Sequence, residues 1–270
     1  MNQYFLKLIS PWTQSASRGS HVLILTELAR GKNRLKDVAA AVNRSQRETS
    51  QQIHELMERE LILKTGVFFR FHNKAFKFWL REVYQKKELS LLDAGEKAES
   101  FLQRIHEIIA EHEELSRMDV SERVVQLFRQ FKNDIIEFGE KRRKLPHFTE
   151  LLQSGSPRTA RDEGSRRIIA KGHGRCWLCK IVEEKVTERD VLELVAGSSS
   201  KSESRTKVLL ALRGLDENAK LLAKEKRVFT LGLSRLNMLM DVYGYSPIIH
   251  SPRPVDSVPT EEAVTGPVPA

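Results

Sequence analysis

Five hydrogen-bonding side chains, Gln46, Arg47, Ser50, Gln51 and His54, recur at intervals of one, three and four residues. On a helix that spacing gathers them on one flank, opposite Ile53, Leu56 and Met57. Such a face can read the edges of nucleobases: Arg pairs with guanine O6 and N7, and Gln with adenine N6 and N7. Lys36 and Arg44 stand near its start and suit phosphates, and Lys64 and Arg70 further on suit backbone or minor-groove contacts. Glu48 and Glu55 interrupt any continuous basic stripe. Cys176-x-x-Cys179, with His173 nearby, is a second place where residue types suggest chemistry. Three ligands fall one short of a closed structural zinc site. Positions three apart on a strand point to opposite faces, which argues against both chelation and a disulfide. The pair reads as buried structural cysteines, and no metal or cofactor is expected.

The elements around the first group have a recognisable order. His21 to Gly31 is an apolar helix closed by glycine, and Arg34 to Val42 is a second, smaller one. Asn43 and Arg44 make a turn, Ser45 opens the polar helix, and the runs from Leu61 and Val67 form a hairpin. Helix, helix, recognition helix and hairpin is the order of a winged helix-turn-helix, whose later helix enters the major groove of DNA. The same fold also serves protein interaction, so order alone does not fix function.

Composition bounds the partner. The 270 residues carry a formal net charge of +9, with a pI near 9.6. That balance favours a polyanion such as DNA or RNA. There is no signal-peptide core at the N-terminus and no apolar run of the roughly 20 residues that span a bilayer, so a soluble, cytoplasmic protein without membrane contact is expected.

The rest of the chain divides by pattern. Residues 1–19 hold a short apolar helix, from Tyr4 to Ile9, and a linker; its face of Tyr4, Phe5, Leu8 and Ile9 is free to dock on a neighbour. Residues 20–73 are the winged helix, 74–145 a helical connector, 146–250 an α/β domain and 251–270 a disordered tail. The loop from Gly197 to Ser204 is read as flexible. In the α/β domain, strands around Ile168, Cys176–Val182, Lys207–Leu212 and Val228–Leu231 alternate with helices, which implies a partly parallel sheet. Lys141-Arg-Arg-Lys144 is a compact basic cluster that suits a phosphate or a solvated turn equally.

Three segments carry a family resemblance: Ile24-Leu-Thr-Glu-Leu-Ala-Arg-Gly31, Leu56-Met-Glu-Arg-Glu-Leu-Ile62 and Phe71-His-Asn-Lys-Ala-Phe-Lys-Phe-Trp79. In them the chain resembles the C-terminal half of a family of archaeal and bacterial AAA-type ATPases, in which an ATP-binding domain precedes a winged helix and a nuclease-like domain. His72 and Asn73 stand where an acidic residue is more usual. The resemblance implies a mixed α+β chain: winged helix, helical connector and a restriction-endonuclease-like α/β domain. It also implies a partner ATPase, because this chain has no P-loop. Gly31-Lys32 is preceded by Thr26 and followed by Asn33 where Gly and Ser or Thr are needed. Met1 is then the start of a split ATPase, a truncated gene or a stand-alone regulator.

A nuclease site of that type needs an acid on one strand and D/E-x-K on the next, to hold Mg²⁺ and orient water. Arginines 166 and 167 stand where the first acid belongs, and Lys180 lacks an acid two residues before it. Glu183-x-Lys185 has the pattern but falls beyond the strand, and Asp162 or Glu163 supplies a carboxylate only if the strand is shifted. The domain therefore reads as degenerate. The leading expectation is a non-catalytic DNA-binding protein, or the DNA-facing part of an ATPase system. The alternatives are an interaction module docking on a partner ATPase or a second copy, and a Mg²⁺-dependent nuclease using Glu183 and Lys185.

Overall fold

Short helices and one hairpin build the N-terminal part of the computed structural model, which describes residues 2–13, 19–85, 94–154, 165–197 and 205–249. Helix α1 (Asn2–Thr13) runs through Pro11, past the end expected at Ile9. Proline cannot donate to the Lys7 carbonyl; the Ser10 hydroxyl donates to it instead, at 2.9 Å. The longer helix buries Phe5, Ile9 and Trp12.

Helices α2 (Gly19–Ala29), α3 (Leu35–Ala41) and α4 (Gln46–Glu58) precede a hairpin of β1 (Ile62–Thr65) and β2 (Phe68–Phe71). Helix α5 (Lys74–Trp79) follows and continues as a π turn over Leu80–Tyr84. Ile24, Leu25, Val38, Ile53, Leu56 and Phe71 share one core with Phe5, Phe76 and Trp79. Each such buried side chain contributes about 1.5–3 kcal/mol relative to exposure. Part of the face of α1 that the sequence leaves free for a neighbour is therefore spent inside the chain: Phe5 lies 5.4 Å from the Phe76 ring and 5.5 Å from that of Trp79, while Tyr4 stays exposed. Asn73 caps α5 by accepting from the Ala75 and Phe76 N–H groups.

Helix α6 (Ala94–Arg117) and helix α7 (Val120–Arg129) come next. The expected helical connector does not reach residue 145. Strands β3 (Asp134–Phe138) and β4 (Lys141–Leu145) form an antiparallel hairpin there. In β4 only Leu145 is buried, so the strand has no apolar alternation from which to read it. Ile136 and Phe138 of β3 fix the hairpin on the core.

The main sheet has the order β5 (Glu150–Ser154), β6 (Ser165–Gly172), β7 (Arg175–Val182), β8 (Arg205–Ala211), β9 (Phe229–Gly232). Pairing is antiparallel from β5 to β7 and parallel from β7 to β9. Helices α8 (Glu188–Ala196) and α9 (Glu217–Glu225) supply the parallel crossovers, and α10 (Leu233–Val242) ends the domain. β7 is central and buried from Cys176 to Val182, the continuous run of a strand covered on both faces. One face, with Trp177, Cys179 and Ile181, packs on α7 and α10. The other, with Leu178 and Val182, packs on α8 and α9.

The two parts meet at the hairpin tip. Val67 N–H donates to the Ile135 carbonyl at 3.0 Å, and a Cβ on Gly66 would overlap that carbonyl oxygen. Asp134, 8% exposed, accepts from Arg34 at 2.8 Å and from the Tyr243 hydroxyl at 2.7 Å. Burial, together with the Asp134 carboxylate, pushes the Tyr243 hydroxyl well above its ordinary pKa. No helix among the described residues is long and apolar enough to cross a membrane. Asp162, Glu163, residues 14–18 of the linker, most of the 197–204 loop and the 251–270 tail lie outside the described residues.

Candidate nucleic-acid interface and the strand-end ion cluster

Helix α4 begins at a capping box. The Ser45 hydroxyl accepts from the Glu48 N–H at 3.2 Å while Glu48 Oε2 accepts from the Ser45 N–H at 3.2 Å. The Ser45 hydroxyl, donating to Glu48 Oε2 at 2.8 Å, and the Ser45 N–H hold the Glu48 carboxyl below its usual range. A carboxylate in the first turn also suits the helix dipole. Thr49, Ile53 and Leu56 are buried beneath the helix, so Gln46, Arg47, Ser50, Gln51 and His54 all face solvent. Lys36 and Arg44 are exposed beside them. Both acids that interrupt this face are engaged: Glu48 in the cap, Glu55 with the buried His21 at 2.9 Å. His54 lies 3.5 Å from Glu58. The face offers donors and acceptors to a flat partner and is only mildly basic.

Lys64 and Arg70 are not neighbours. Directly opposed residues of an antiparallel pair share a face. Lys64 opposes Phe69, and Arg70 opposes Leu63, one residue further along. Lys64 is exposed on the face of the core residues Phe69 and Phe71, whereas Arg70 leaves the other face, toward α10. The hairpin tip is also packed on β3 through Gly66 and Val67, so the two basic residues cannot act together as a free wing tip.

At the end of β7 the sequence places Glu183 and Lys185. The strand stops at Val182. Lys185 is exposed in the following loop. The Glu183 carboxylate is bound by Arg166, 2.9 Å away, and the same guanidinium nitrogen reaches Asp119 at 2.7 Å. Asp119 is the N-cap of α7, accepting from the Ser121 N–H. Two carboxylates thus converge at one end of β6 and β7, as a metal site would need, but a cation from β6 already stands between them. Among the described residues, no group of three or more His, Cys, Asp or Glu side chains is placed to hold a metal ion.

On the opposite face of β7, Lys180 is fully buried. Its ammonium donates to Asp190 at 2.9 Å and to Glu193 at 2.8 Å, both on α8. Glu193 is held below the usual carboxyl range by Lys180 and Arg189. Burial raises Asp190, but the Thr187 N–H, the Thr187 hydroxyl and Lys180 outweigh it and lower it on balance. The sequence signal for this cluster is a lone lysine inside an apolar run, with Asp190 and Glu193 one helical turn apart. Lys180 is consumed by this pairing and faces away from Glu183.

Cys176 and Cys179 form no disulfide. Cys179 lies in the core against α7 and α10, where burial pushes its thiol far above the ordinary range. Strand alternation puts Cys176 on the other face, and His173 is exposed in the β6–β7 turn.

No family model matches the chain, and no curated protein matches it. Among solved structures, the apo form of EndoMS is similar to part of it: 13% identity and a TM-score of 0.31, over 43% of this chain. The chain spans less than half of that protein, 46% of its length. At that TM-score the overlap assigns neither fold nor activity.

Proposed function

We propose that this chain is a non-catalytic DNA-binding protein whose α2–α4 and β1–β2 segment is a winged helix and whose α7–α10 segment is a degenerate restriction-endonuclease-like domain. The observation that carries the reading is the exposed face of α4, where Gln46, Arg47, Ser50, Gln51 and His54 stand above a buried row of Thr49, Ile53 and Leu56. A helix held from beneath and polar on top is the geometry by which a helix-turn-helix protein addresses the major groove. Phosphate contacts from Lys36 and Arg44 would position it, and Arg47 and the glutamines would read bases. The bridging of Asp119 and Glu183 by Arg166 supports the non-catalytic part of the reading.

The interaction-module alternative keeps the winged helix as a surface, but Phe5 and Ile9 of the Tyr4–Ile9 face are buried within the chain. A partner ATPase and the ATPase-family assignment remain proposals that rest on the three sequence segments alone. The deciding experiment is fluorescence anisotropy of a labelled duplex across a salt series. Wild-type protein is expected to bind, with affinity falling steeply as salt rises. Arg47→Ala is expected to weaken binding by about 1–3 kcal/mol. Equal binding by Arg47→Ala at matched salt would remove α4 as the reading helix.

A further inference from the structure

We infer that the cleft between β4, α9 and the first turn of α10 is a second nucleic-acid site, which holds the phosphodiester backbone. The inference rests on the DNA-binding reading for the class of partner and uses no residue of α4.

The cleft has a volume of about 560 Å³ and is lined by Lys141, Arg143, Lys220, Lys224 and Arg235, with no acidic side chain in its wall. Lys220 lies 3.6 Å from Glu217. Among the described residues, no carboxylate pairs with Lys141, Arg143, Lys224 or Arg235. Strand alternation in β4 sorts the basic cluster: Lys141 and Arg143 enter the cleft, while Arg142 leaves the other face and is neutralised by Glu137 at 2.8 Å. Cations collected in a concave wall without counter-charge raise the local potential and attract a polyanion.

Two of these cations are held in place. The Arg143 guanidinium lies 4.6 Å over the Phe229 ring, and that of Arg235 lies 5.7 Å over the Phe138 ring. A guanidinium stacked on an aromatic face loses less freedom when it binds, and its fork suits a phosphate in a bidentate pair. The first turn of α10 carries no acid that would oppose an anion.

The cationic lining continues. A second cavity, of about 500 Å³, shares Phe138, Ser234 and Arg235 with the first and adds Arg70 and Lys74. Its one acid, Asp241, is taken by Lys77 at 3.2 Å. The charge thus runs from β2 and α5 across α10 to α9, too long for a single phosphate. A flat lipid surface cannot follow a concave wall, whereas a backbone with regularly spaced phosphates can.

The test uses the whole chain, a labelled duplex and a salt series. The double variants Lys141→Gln/Lys224→Gln and Arg143→Gln/Arg235→Gln are compared with Arg47→Ala. The lysine pair is exposed and without a packing role, so it separates binding from folding. Each double variant is expected to bind severalfold more weakly and to lower the slope of log K against log salt by about 2, near 0.9 per phosphate contact. Saturating duplex is also expected to protect Lys141 and Lys224 from acetylation. Wild-type affinity and slope in both double variants, with Arg47→Ala weakened, would overturn the cleft and leave α4 standing. Weakened double variants beside an unaffected Arg47→Ala would keep the cleft and remove α4. Loss of binding to phosphatidylserine vesicles, with duplex binding intact, would assign the cleft to a lipid surface and overturn the inference.

Discussion

Arg166 and Glu183 are joined across the end of β6 and β7, with Nη1 2.9 Å from Oε1. The Asp119 carboxylate completes the bridge at 2.7 Å. A divalent ion needs converging carboxylates and an open place between them, and here the place is filled by a guanidinium tethered to the strand. The expected outcome is therefore no Mg²⁺-dependent nicking of plasmid DNA above the level of Glu183→Ala. Arg166→Ala should cost only about 1 kcal/mol, because the bridge is partly exposed and screened. Arg166→Glu adds a third carboxylate and should make the melting temperature rise with Mn²⁺, which wild type should not do. Metal-dependent cleavage by wild type that Glu183→Ala abolishes would defeat this account.

The Lys180 cluster predicts an acid limb in stability. Asp190 and Glu193 both have lowered folded-state values. Their contribution is fully present above the unfolded carboxyl range, about 4, and is lost as pH falls through the folded values. In Lys180→Met the two carboxyls lose the cation that lowers them, so the slope of stability against pH below about 4 should flatten. Lys180→Ala adds a cavity and should cost about 3–5 kcal/mol. Denaturant melts at a series of pH values read both; an unchanged acid limb in Lys180→Met would show that the pairing does not set it.

Gly66→Ala tests the seat of the hairpin tip. Gly66 has φ +68, where a Cβ is strained, and its added methyl would overlap the Ile135 carbonyl oxygen. The variant should lose about 1–3 kcal/mol, at about 2–4 °C of melting temperature per kcal/mol for a chain of this size. A wild-type melting temperature would mean that the hairpin does not pack on β3 in solution.

Ser45→Ala removes one half of the α4 capping box. About 1 kcal/mol of stability should go with it, and Ser45→Gly should cost only a few tenths. Equilibrium unfolding in urea distinguishes the two. If Ala is no worse than Gly, the cap is not formed.

The local elements were legible because periodicity and capping belong to consecutive residues. The opening at Ser45, the stripe of Ile53 and Leu56, and the apolar run from Cys176 to Val182 announce α4 and β7 directly. The opposite faces of Cys176 and Cys179 follow from strand alternation alone. Only the tertiary structure decided what lies between elements. β4 is an edge strand with one buried residue, so no pattern marks it, and its partner β3 supplies the burial. The Arg166 bridge draws on residues 119, 166 and 183, and the basic cleft on β4, α9 and α10. Charges that far apart in sequence acquire a shared purpose only when folding sets their distances, because electrostatic interaction depends on separation in space. The same folding turned Phe5 and Ile9 from part of an open apolar face into core, while Tyr4 stays exposed, since a hydrophobic stripe states that it will be buried but not against what.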